Sequence, residues 1–411
     1  MNRVLFGILE TLKNAIKLAN HDSDFTGAAM FVLAMAFLAT MPGCGRSLFS
    51  ICNNCPPPHK QTQVVYTANA AGSPSTVSAL TVDPASGALT AIAGSPYPAG
   101  SGSMAVTADV SEKFLYIANA TSSNISAFSI NQTSGGLTQV PGSPFVAEAG
   151  MNSIVSDPSG LFLYAVTGNS DNLWAYSINS STGALAPLSG IPMGIATGTT
   201  SSFLILDPSG KFLYVAVRGS VSSGIYGFRR DTTTGAITTL PGFPVAVNGL
   251  ANKGTFDRTG AFLLVAATDV FGTAGGVEVF SLNGASGALT LTGPAAQVGR
   301  DPSGIVQAGG SVYVPNTADD TISGFALNLN TGALTAVSGS PFPSGGRGSV
   351  NGPLGIATTQ GGNFVFVCNA SNDISVFSVG SSGALTQVAG SPFPEGGDAP
   401  SAITLILTTA P

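Results

Sequence analysis

Short apolar runs separated by polar turns recur along most of the chain, and residues 207–244 show the pattern in full. They read DPSGKFLYVAVRGSVSSGIYGFRRDTTTGAITTLPGFP. Pro208-Ser209-Gly210 is typical of a tight turn, because Pro fixes one backbone angle and Gly allows the other. The apolar run at 212–217 is rich in β-branched and aromatic residues, which predicts a strand buried on both faces.

Three further strands complete this unit. Residues 203–206 precede the turn, a Ser/Gly loop leads to 225–229, and Thr234-Gly235 leads to 237–240. Consecutive strands joined by short turns pair antiparallel. The stretch therefore predicts a four-stranded antiparallel meander.

Two landmarks count the copies of this unit independently. The FLYVA-like strand recurs at residues 64–66, 114–116, 162–164, 212–214, 262–264, 311–313 and 364–366. The TGALT-like turn recurs with its glycine at Gly87, Gly135, Gly183, Gly235, Gly287, Gly332 and Gly383. Both counts are seven, and the glycines are 45 to 52 residues apart, a period typical of propeller blades. The sequence predicts an all-β protein with seven four-stranded antiparallel blades.

The phase of the repeat indicates how the ring closes. The first copy begins with its second strand, near Val64, and the last copy is followed by a spare first strand at 402–408. We expect this C-terminal strand to complete the first blade, because closure removes the exposed sheet edges that an open array would leave. The propeller is thus predicted to span residues 63–411.

Composition supports the all-β interpretation and restricts the partners. The chain has 53 Gly, 26 Pro, and only 14 basic and 20 acidic residues among 411. A surface built from Ser, Thr and Asn in place of charges favours an exported protein. From Gln63 onward nine Lys and Arg face seventeen Asp and Glu, a net charge of −8, so we predict no nucleic-acid partner.

The N-terminal residues 1–43 have the pattern of an export signal. An uncharged apolar run at 27–41 has the length of a signal-peptide core, and Met41-Pro42-Gly43-Cys44 follows it. A small residue before a cysteine resembles the end of a bacterial lipoprotein signal, so Cys44 is the predicted lipidation site. An uncleaved membrane anchor and an ordinary secretory signal are the alternatives.

Residues 44–62 are predicted to form a tether rich in Cys and Pro. Cys52 and Cys55 form a CNNC pair, for which a local disulfide is the first interpretation; a zinc site lacks a second ligand pair unless His59 contributes. Cys368 lies in an apolar run and is predicted to be a buried filler, not a nucleophile. The sequence predicts no metal site and no cofactor.

The repeats also resemble a known family. FLYVAN-like strands, TGALT-like turns and GSPFP-like segments at 142–145, 339–343 and 390–394 look like the seven-bladed lactonase-type propellers. That family includes a bacterial 6-phosphogluconolactonase and a fungal muconate-lactonizing enzyme, and it borders on the YVTN-repeat surface propellers. The resemblance covers roughly residues 63–411 and implies a fold more than an activity.

The resemblance implies a ligand site at one mouth of the central channel, where enzymes of the family place Arg, His and acidic side chains. The only histidines, His21 and His59, precede the propeller, so composition excludes a histidine base inside the ring. The charged residues expected near the mouth are Arg218, Lys253, Arg300, Asp301, Arg347, Glu395 and Asp398.

A lactone hydrolase requires a base that activates water and a cation that holds an anionic group. Asp301 or Asp398 is the candidate base, and the candidate ligand-binding cations are Lys253, Arg300, Arg347 and Arg218. The alternative is that these residues are solvated loop charges and local ion pairs, which contribute little to stability.

Two functions remain open. In the first, the protein is an exported, lipid-anchored and monomeric propeller that serves as a binding or scaffold module for a small anionic or lactone ligand or a protein partner. In the second, it is a lactone hydrolase of the 6-phosphogluconolactonase-like type. Convergence of the candidate Arg and Asp side chains would favour the second function, and scattered side chains the first.

Overall fold

The computed structural model describes residues 61–196, 200–219, 223–346 and 352–409. Within these ranges the chain forms seven antiparallel sheets, which confirms the predicted seven-bladed propeller. We number the sheets blades 1 to 7 in the chain order of their second strands. The first strands of neighbouring blades contact one another from blade 6 through blade 7 and blade 1 to blade 5, and they therefore form the innermost layer.

Each blade is described by the same four strands. The first strands of blades 1 to 7 are Pro400–Thr409, Ser103–Ala108, Met151–Ser156, Thr200–Leu206, Leu250–Phe256, Val306–Ala308 and Pro353–Thr358. The second strands are Gln61–Asn69, Phe114–Asn119, Phe162–Thr167, Phe212–Arg218, Phe262–Thr268, Ser311–Asn316 and Phe364–Asn369. The third strands are Thr76–Val82, Asn124–Ile130, Asn172–Ile178, Gly224–Arg230, Gly275–Leu282, Thr321–Leu327 and Asp373–Val379. The fourth strands are Leu89–Ala91, Leu137–Gln139, Leu185–Pro187, Ile237–Thr239, Leu289–Leu291, Leu334–Ala336 and Leu385–Gln387.

A short additional strand, not predicted from the sequence, follows the fourth strand in six blades of the described chain. It pairs with the third strand of its own blade. The six strands are Tyr97–Pro98, Phe145–Val146, Met193–Gly194, Ala296–Val298, Phe342–Pro343 and Phe393–Pro394. Blade 4 has a single bridge, between Ile225 and Val245, in the corresponding place. The GSPFP-like segments therefore return the chain across the blade before the next blade begins.

The ring closes as predicted. The C-terminal strand Pro400–Thr409 pairs antiparallel with Gln61–Asn69, with Tyr66 opposite Thr404, and becomes the first strand of blade 1. The backbone N–H and C=O groups on this edge of Gln61–Asn69 thereby form hydrogen bonds within the same chain. The N- and C-terminal parts of the propeller are joined by a full ladder of backbone hydrogen bonds.

The second strands form the most completely buried part of each blade. All residues from Phe212 to Val217 have no measurable exposure, which confirms the prediction of a strand covered on both faces. Their side chains pack between blades: Phe212 and Tyr214 of blade 4 share one apolar cluster with Phe256 and Leu263 of blade 5. Burying an aliphatic or aromatic side chain of this size contributes roughly 1.5 to 3 kcal/mol.

The two sequence landmarks meet at the blade interfaces. The tyrosine of an FLY strand donates its hydroxyl to the carbonyl of the TGA glycine in the next blade, as in Tyr214 to Gly287 at 2.7 Å. The same bond joins Tyr66 to Gly135, Tyr116 to Gly183, Tyr164 to Gly235 and Tyr313 to Gly383. Gly235 has a φ of +74°, and a Cβ there would lie 2.4 Å from the Phe162 ring. Each landmark thus constrains the other across a seam.

In the described part of the chain, no helix combines the length and the apolar character needed to cross a membrane.

Candidate functional site

The candidate residues lie at the end of the blades where the first strands begin and the second strands end, which we call the mouth. Here most first strands contain a β-bulge, so that one residue is skipped in the pairing with the second strand. Three of the skipped residues reach the next blade with their side chains: Ser401 donates to the carbonyl of Ser103 at 2.6 Å, Asn152 to that of Ser201, and Asn252 to that of Pro302. The bulge therefore points side chains across the seams at the mouth.

Arg218 ends the second strand of blade 4, and its guanidinium is fixed against blade 5. Its Nε donates to the carbonyl of Ala251 at 2.9 Å, and its Nη2 donates to Oδ1 of Asn252. Asn252 is the skipped residue of its strand, and it donates to Thr268 Oγ1 at 2.7 Å and to the carbonyl of Pro302 at 2.6 Å. Arg218 is therefore preorganised by contacts with blade 5.

Lys253 follows Asn252 on the first strand of blade 5 and is partly exposed. Burial lowers the pKa of its ammonium, the nearby Arg218 guanidinium lowers that pKa further, and the Cys368 thiol opposes this slightly. Arg218 belongs to blade 4 and Cys368 to blade 7, so Lys253 interacts with residues of two other blades.

The described residues contain only two ion pairs within 4 Å, Arg230–Asp157 and Arg300–Asp319. Neither Arg218 nor Lys253 belongs to one. Asp301 interacts electrostatically with Arg218 and raises the pKa of the guanidinium, which burial lowers more strongly. Asp301 itself is exposed and has a φ of +52°. The structure thus brings Arg218, Lys253 and Asp301 to one region and leaves an excess of positive charge there.

Arg300 is held by residues of the loop that follows it in the chain. Its Nε donates to Asp319 Oδ1 at 2.7 Å, its backbone N–H donates to Asp319 Oδ2 at 2.6 Å, and its Nη2 donates to the carbonyl of Ala318 at 3.1 Å. The Arg300 side chain is 53% exposed. The guanidinium is therefore occupied by a local ion pair.

Asp398 lies in the loop between blade 7 and the closing strand and is exposed. Its carboxylate accepts a hydrogen bond from Asn372 Nδ2 at 2.9 Å. It is placed beside Glu395, whose pKa it helps to raise. The structure therefore separates the two candidate bases between the blade 5–6 side and the blade 7–1 side of the mouth.

Glu395 is the most unusual carboxyl group at the mouth. It is 1% exposed, one of its oxygens accepts the Thr67 hydroxyl at 2.6 Å, and Oε1 has no hydrogen-bond partner among the described atoms. Burial raises its pKa to about 8, with Asp373 and Asp398 adding to the shift and the Thr67 hydroxyl opposing it. The carboxyl group is therefore largely protonated at neutral pH.

The sequence places Glu395 near the mouth, but no single motif indicates its partner Thr67. The residues that follow the FLY tyrosine or its equivalent are apolar in the other six blades: Ile117, Ala165, Val215, Val265, Val314 and Val367. The Glu395 position, after the short additional strand, is Ala99, Ala147 and Ile195 in blades 1 to 3. A comparison of the copies column by column would have identified both exceptions.

The remaining predicted site residues divide into two groups. Cys44, Cys52, Cys55 and Arg347 lie outside the described residues, so their assigned roles stay predictions. Cys368 is fully buried with a free thiol, and burial and the nearby Glu395 raise the pKa of that thiol. A neutral thiol is a weak nucleophile, which agrees with its interpretation as a filler.

A family model described as lactonase, 7-bladed beta-propeller, matches residues 57–140 and 154–307. A search of curated proteins gives no match. Among solved structures, a candidate 6-phosphogluconolactonase from Bacteroides uniformis has a TM-score of 0.70 and 17% sequence identity, covering 84% of this chain and 99% of that protein. The periplasmic gluconolactonase of Pseudomonas aeruginosa has a TM-score of 0.68 and 17% identity, covering 86% and 100% respectively. At these identities the solved structures show a shared fold.

Proposed function

This chain belongs to the lactonase family of seven-bladed β-propellers, and from that premise we propose that it is an exported, lipid-anchored propeller that binds a small anionic ligand at the mouth. The observation that carries the proposal is the pair formed by Arg218 and Lys253, which no described carboxylate neutralises within 4 Å. Two like charges held together in a partly buried place destabilise each other. An anionic ligand would relieve that repulsion.

The ligand that fits this arrangement is a carboxylate or phosphate ester of sugar size, in open or lactone form. Arg218 presents a fixed guanidinium, which suits the planar geometry of a carboxylate. Lys253 adds a flexible second donor. The apolar run at 27–41 and the cysteine at position 44 support the proposed location. Incorporation of radiolabelled palmitate into the protein, lost in Cys44→Ser, tests the anchor.

Gluconate and 6-phosphogluconate are suitable probes for the site. We expect the purified full-length protein to bind one of them in isothermal titration calorimetry, and Arg218→Ala to weaken that binding about 10- to 100-fold, because one charge-assisted hydrogen-bonding group contributes roughly 1.5 to 3 kcal/mol. Arg300→Ala is the matched control, since its guanidinium already pairs with Asp319. Equal losses in the two variants, or no binding by the native protein, would refute the proposal.

Lactone hydrolysis is the second candidate function, and the position of Asp301 favours it. Its carboxylate lies close enough to Arg218 to raise the pKa of the guanidinium, so a base and an anion-binding cation share one side of the mouth. We expect 6-phosphogluconolactone to be hydrolysed above the spontaneous rate and Asp301→Asn to remove most of that excess. Asp398→Asn serves as the control, because this carboxylate is on the other side of the mouth. If the native protein hydrolyses the lactone only at the spontaneous rate, the hydrolase function is refuted and ligand binding remains as the proposed function.

A further inference from the structure

We propose that the seam between blades 3 and 4 binds a small phenol with a single ring. The site is a groove with a volume of about 170 Å³. Its walls are residues 188–191 and Met193 of blade 3 and residues 235–237 of blade 4, and the buried Ala175 lies at its floor. These walls follow the outer strands of the two blades, so the groove is separate from the anion site at the mouth.

The groove is open because blade 3 lacks an aromatic ring that four other blades carry. Met193 pairs with Leu173 of the third strand. The pairing registers place an aromatic residue at this position in four blades: Tyr97, Phe145, Phe342 and Phe393. A Cβ on the glycine three residues before each ring would meet that ring at 3.4 to 3.6 Å, whereas a Cβ on Gly190 of blade 3 would meet no atom within 4 Å. The space that a ring fills in the other blades is therefore free for a ligand.

The surroundings of the groove suit an aromatic ring in chemistry and in size. Leu188, Ile191, Met193 and Ile237 pack on an apolar cluster that joins blades 3 and 4. An apolar cavity of about 150 Å³ holds one benzene molecule. Pockets for drug-sized ligands are larger, from about 300 Å³ upward. The groove therefore fits one ring without large substituents.

Tyr97 indicates how the hydroxyl group of a phenol would lie. Its hydroxyl donates to the carbonyl of Ala93 at 3.0 Å, and a Cβ on Gly136 of blade 2 would lie 3.4 Å from the hydroxyl oxygen. In the seam between blades 3 and 4, Ser189 takes the place of Ala93 and Ala236 takes the place of Gly136, and both line the groove. A bound phenol can thus donate to the Ser189 carbonyl while its oxygen contacts the Ala236 methyl group.

Phenol titrated into the native full-length protein tests the proposal. With ¹³C in the methyl groups of Met and Ile, NMR follows Met193 and Ile237 in the groove, and Met104 and Met151 serve as references. We expect phenol to shift the Met193 and Ile237 signals to saturation in the millimolar range, since one ring makes few contacts. The reference signals should not move. Equal shifts of Met193 and of the exposed Met104 would show non-specific association and overturn the proposal.

Two substitutions of Met193 locate the phenol. Met193→Phe supplies the ring that blades 2, 6 and 7 carry, so we expect it to fold with a urea midpoint no lower than the native one and to lose the shift of Ile237. Met193→Leu is the matched control, because leucine is apolar and of similar size but has no ring, and it should keep the shift. A response that persists in Met193→Phe, or one that is lost in Met193→Leu, would contradict the assigned groove.

Two analogues test the chemistry of the ligand. Cyclohexanol keeps the hydroxyl group without the flat ring, and anisole keeps the ring without the hydroxyl proton. We expect saturation by anisole to require about 2- to 10-fold higher concentrations than saturation by phenol, the effect of one lost neutral hydrogen bond. Cyclohexanol should also bind more weakly than phenol. Binding of either analogue as tight as that of phenol would overturn the assignment of a phenol.

A second copy of the chain is the other occupant that the experiments distinguish. Sedimentation equilibrium without phenol should give the same mass for the native protein and for Met193→Phe. Self-association that is lost in Met193→Phe would assign the groove to a second copy and overturn the proposal. None of these measurements uses gluconate, so their outcome is independent of the proposed anion site.

Discussion

Replacing Glu395 by Gln should raise the free energy of unfolding at pH 8 by about 3 to 5 kcal/mol relative to the native protein, and by much less near pH 4.5. Glu395 is 1% exposed, and its pKa in the folded protein is raised to about 8 from an ordinary value of 4.5. Between these two values the folded protein retains a proton that the unfolded chain has lost. The contribution of Glu395 to stability is therefore complete below pH 4.5 and is lost as the pH rises to 8.

Urea unfolding of the two proteins at several pH values measures this difference directly. Gln has nearly the same shape as the protonated acid and can accept the Thr67 hydroxyl in the same way. Glu148→Gln is the matched control, since hydrogen bonds from Ser170, Asn172 and Trp174 lower the pKa of Glu148 despite partial burial. That variant should lose stability at pH 8 and not at low pH. A stability difference for Glu395→Gln that does not vary with pH would contradict the assigned protonation state.

Glu395 is expected to lower the free energy of unfolding at neutral pH, so stability does not explain why this residue is present. The same position is Ala99, Ala147 and Ile195 in other blades, so the fold does not require an acid there. Thr67, its partner, stands at a position that is apolar in every other blade. Buried groups that reduce stability cluster at functional sites. The pair at the seam between blades 7 and 1 therefore belongs with the mouth residues in any study of ligand binding.

The fold was predictable because each blade repeats the same local signals. Strand order follows from local signals such as the apolar run at 212–217 and the turn glycine Gly235, since the four strands of blades 2 to 7 pair in sequence order. Closure follows from the spare C-terminal strand, which pairs with Gln61–Asn69. The short additional strands escaped prediction, because two paired residues such as Phe393–Pro394 produce no periodicity. Their position depends on how the chain crosses the blade, which a local pattern does not encode.

The candidate site was less predictable because its contacts cross between blades. Arg218 was expected near the mouth, but its bond to Asn252 depends on the bulge that turns the Asn252 side chain toward the seam. Arg300 was expected to hold an anion, and its pairing with Asp319 follows from the three-residue 3-10 turn Thr317–Asp319 that presents this carboxylate. A sequence indicates which blade holds a charge and not which neighbour the charge meets.

Replacing Asp157 by Ala should lower the free energy of unfolding by about 3 to 5 kcal/mol, the range expected when one partner of a buried ion pair is removed. Asp157 of blade 3 contacts Arg230 of blade 4 at 2.9 Å, and both side chains are almost completely buried. Its carboxylate also accepts the backbone N–H groups of Leu161 and Phe162 at 2.9 and 2.8 Å. The variant therefore leaves an uncompensated buried guanidinium and two backbone donors without their acceptor.

Arg230→Leu should lower the free energy of unfolding by about 1 to 2 kcal/mol, less than the roughly 3 to 5 kcal/mol typical when a buried ion pair loses one partner. The Asp157 carboxylate that remains keeps its hydrogen bonds from the backbone N–H groups of Ser159, Leu161 and Phe162, and an apolar side chain fills the space of the arginine. The equivalent residues at the end of the third strand are all apolar: Val82, Ile130, Ile178, Leu282, Leu327 and Val379. The turn itself does not need the arginine, since Asp207 accepts the Phe212 N–H at 2.7 Å in the same way and belongs to no ion pair among the described residues.

Combining the two substitutions should cost less than Asp157→Ala alone, because no buried charge is then left without a partner. Urea unfolding of both single variants and the double variant measures the coupling, and an Arg230→Leu loss as large as that of Asp157→Ala would show that the arginine is required for blade packing itself.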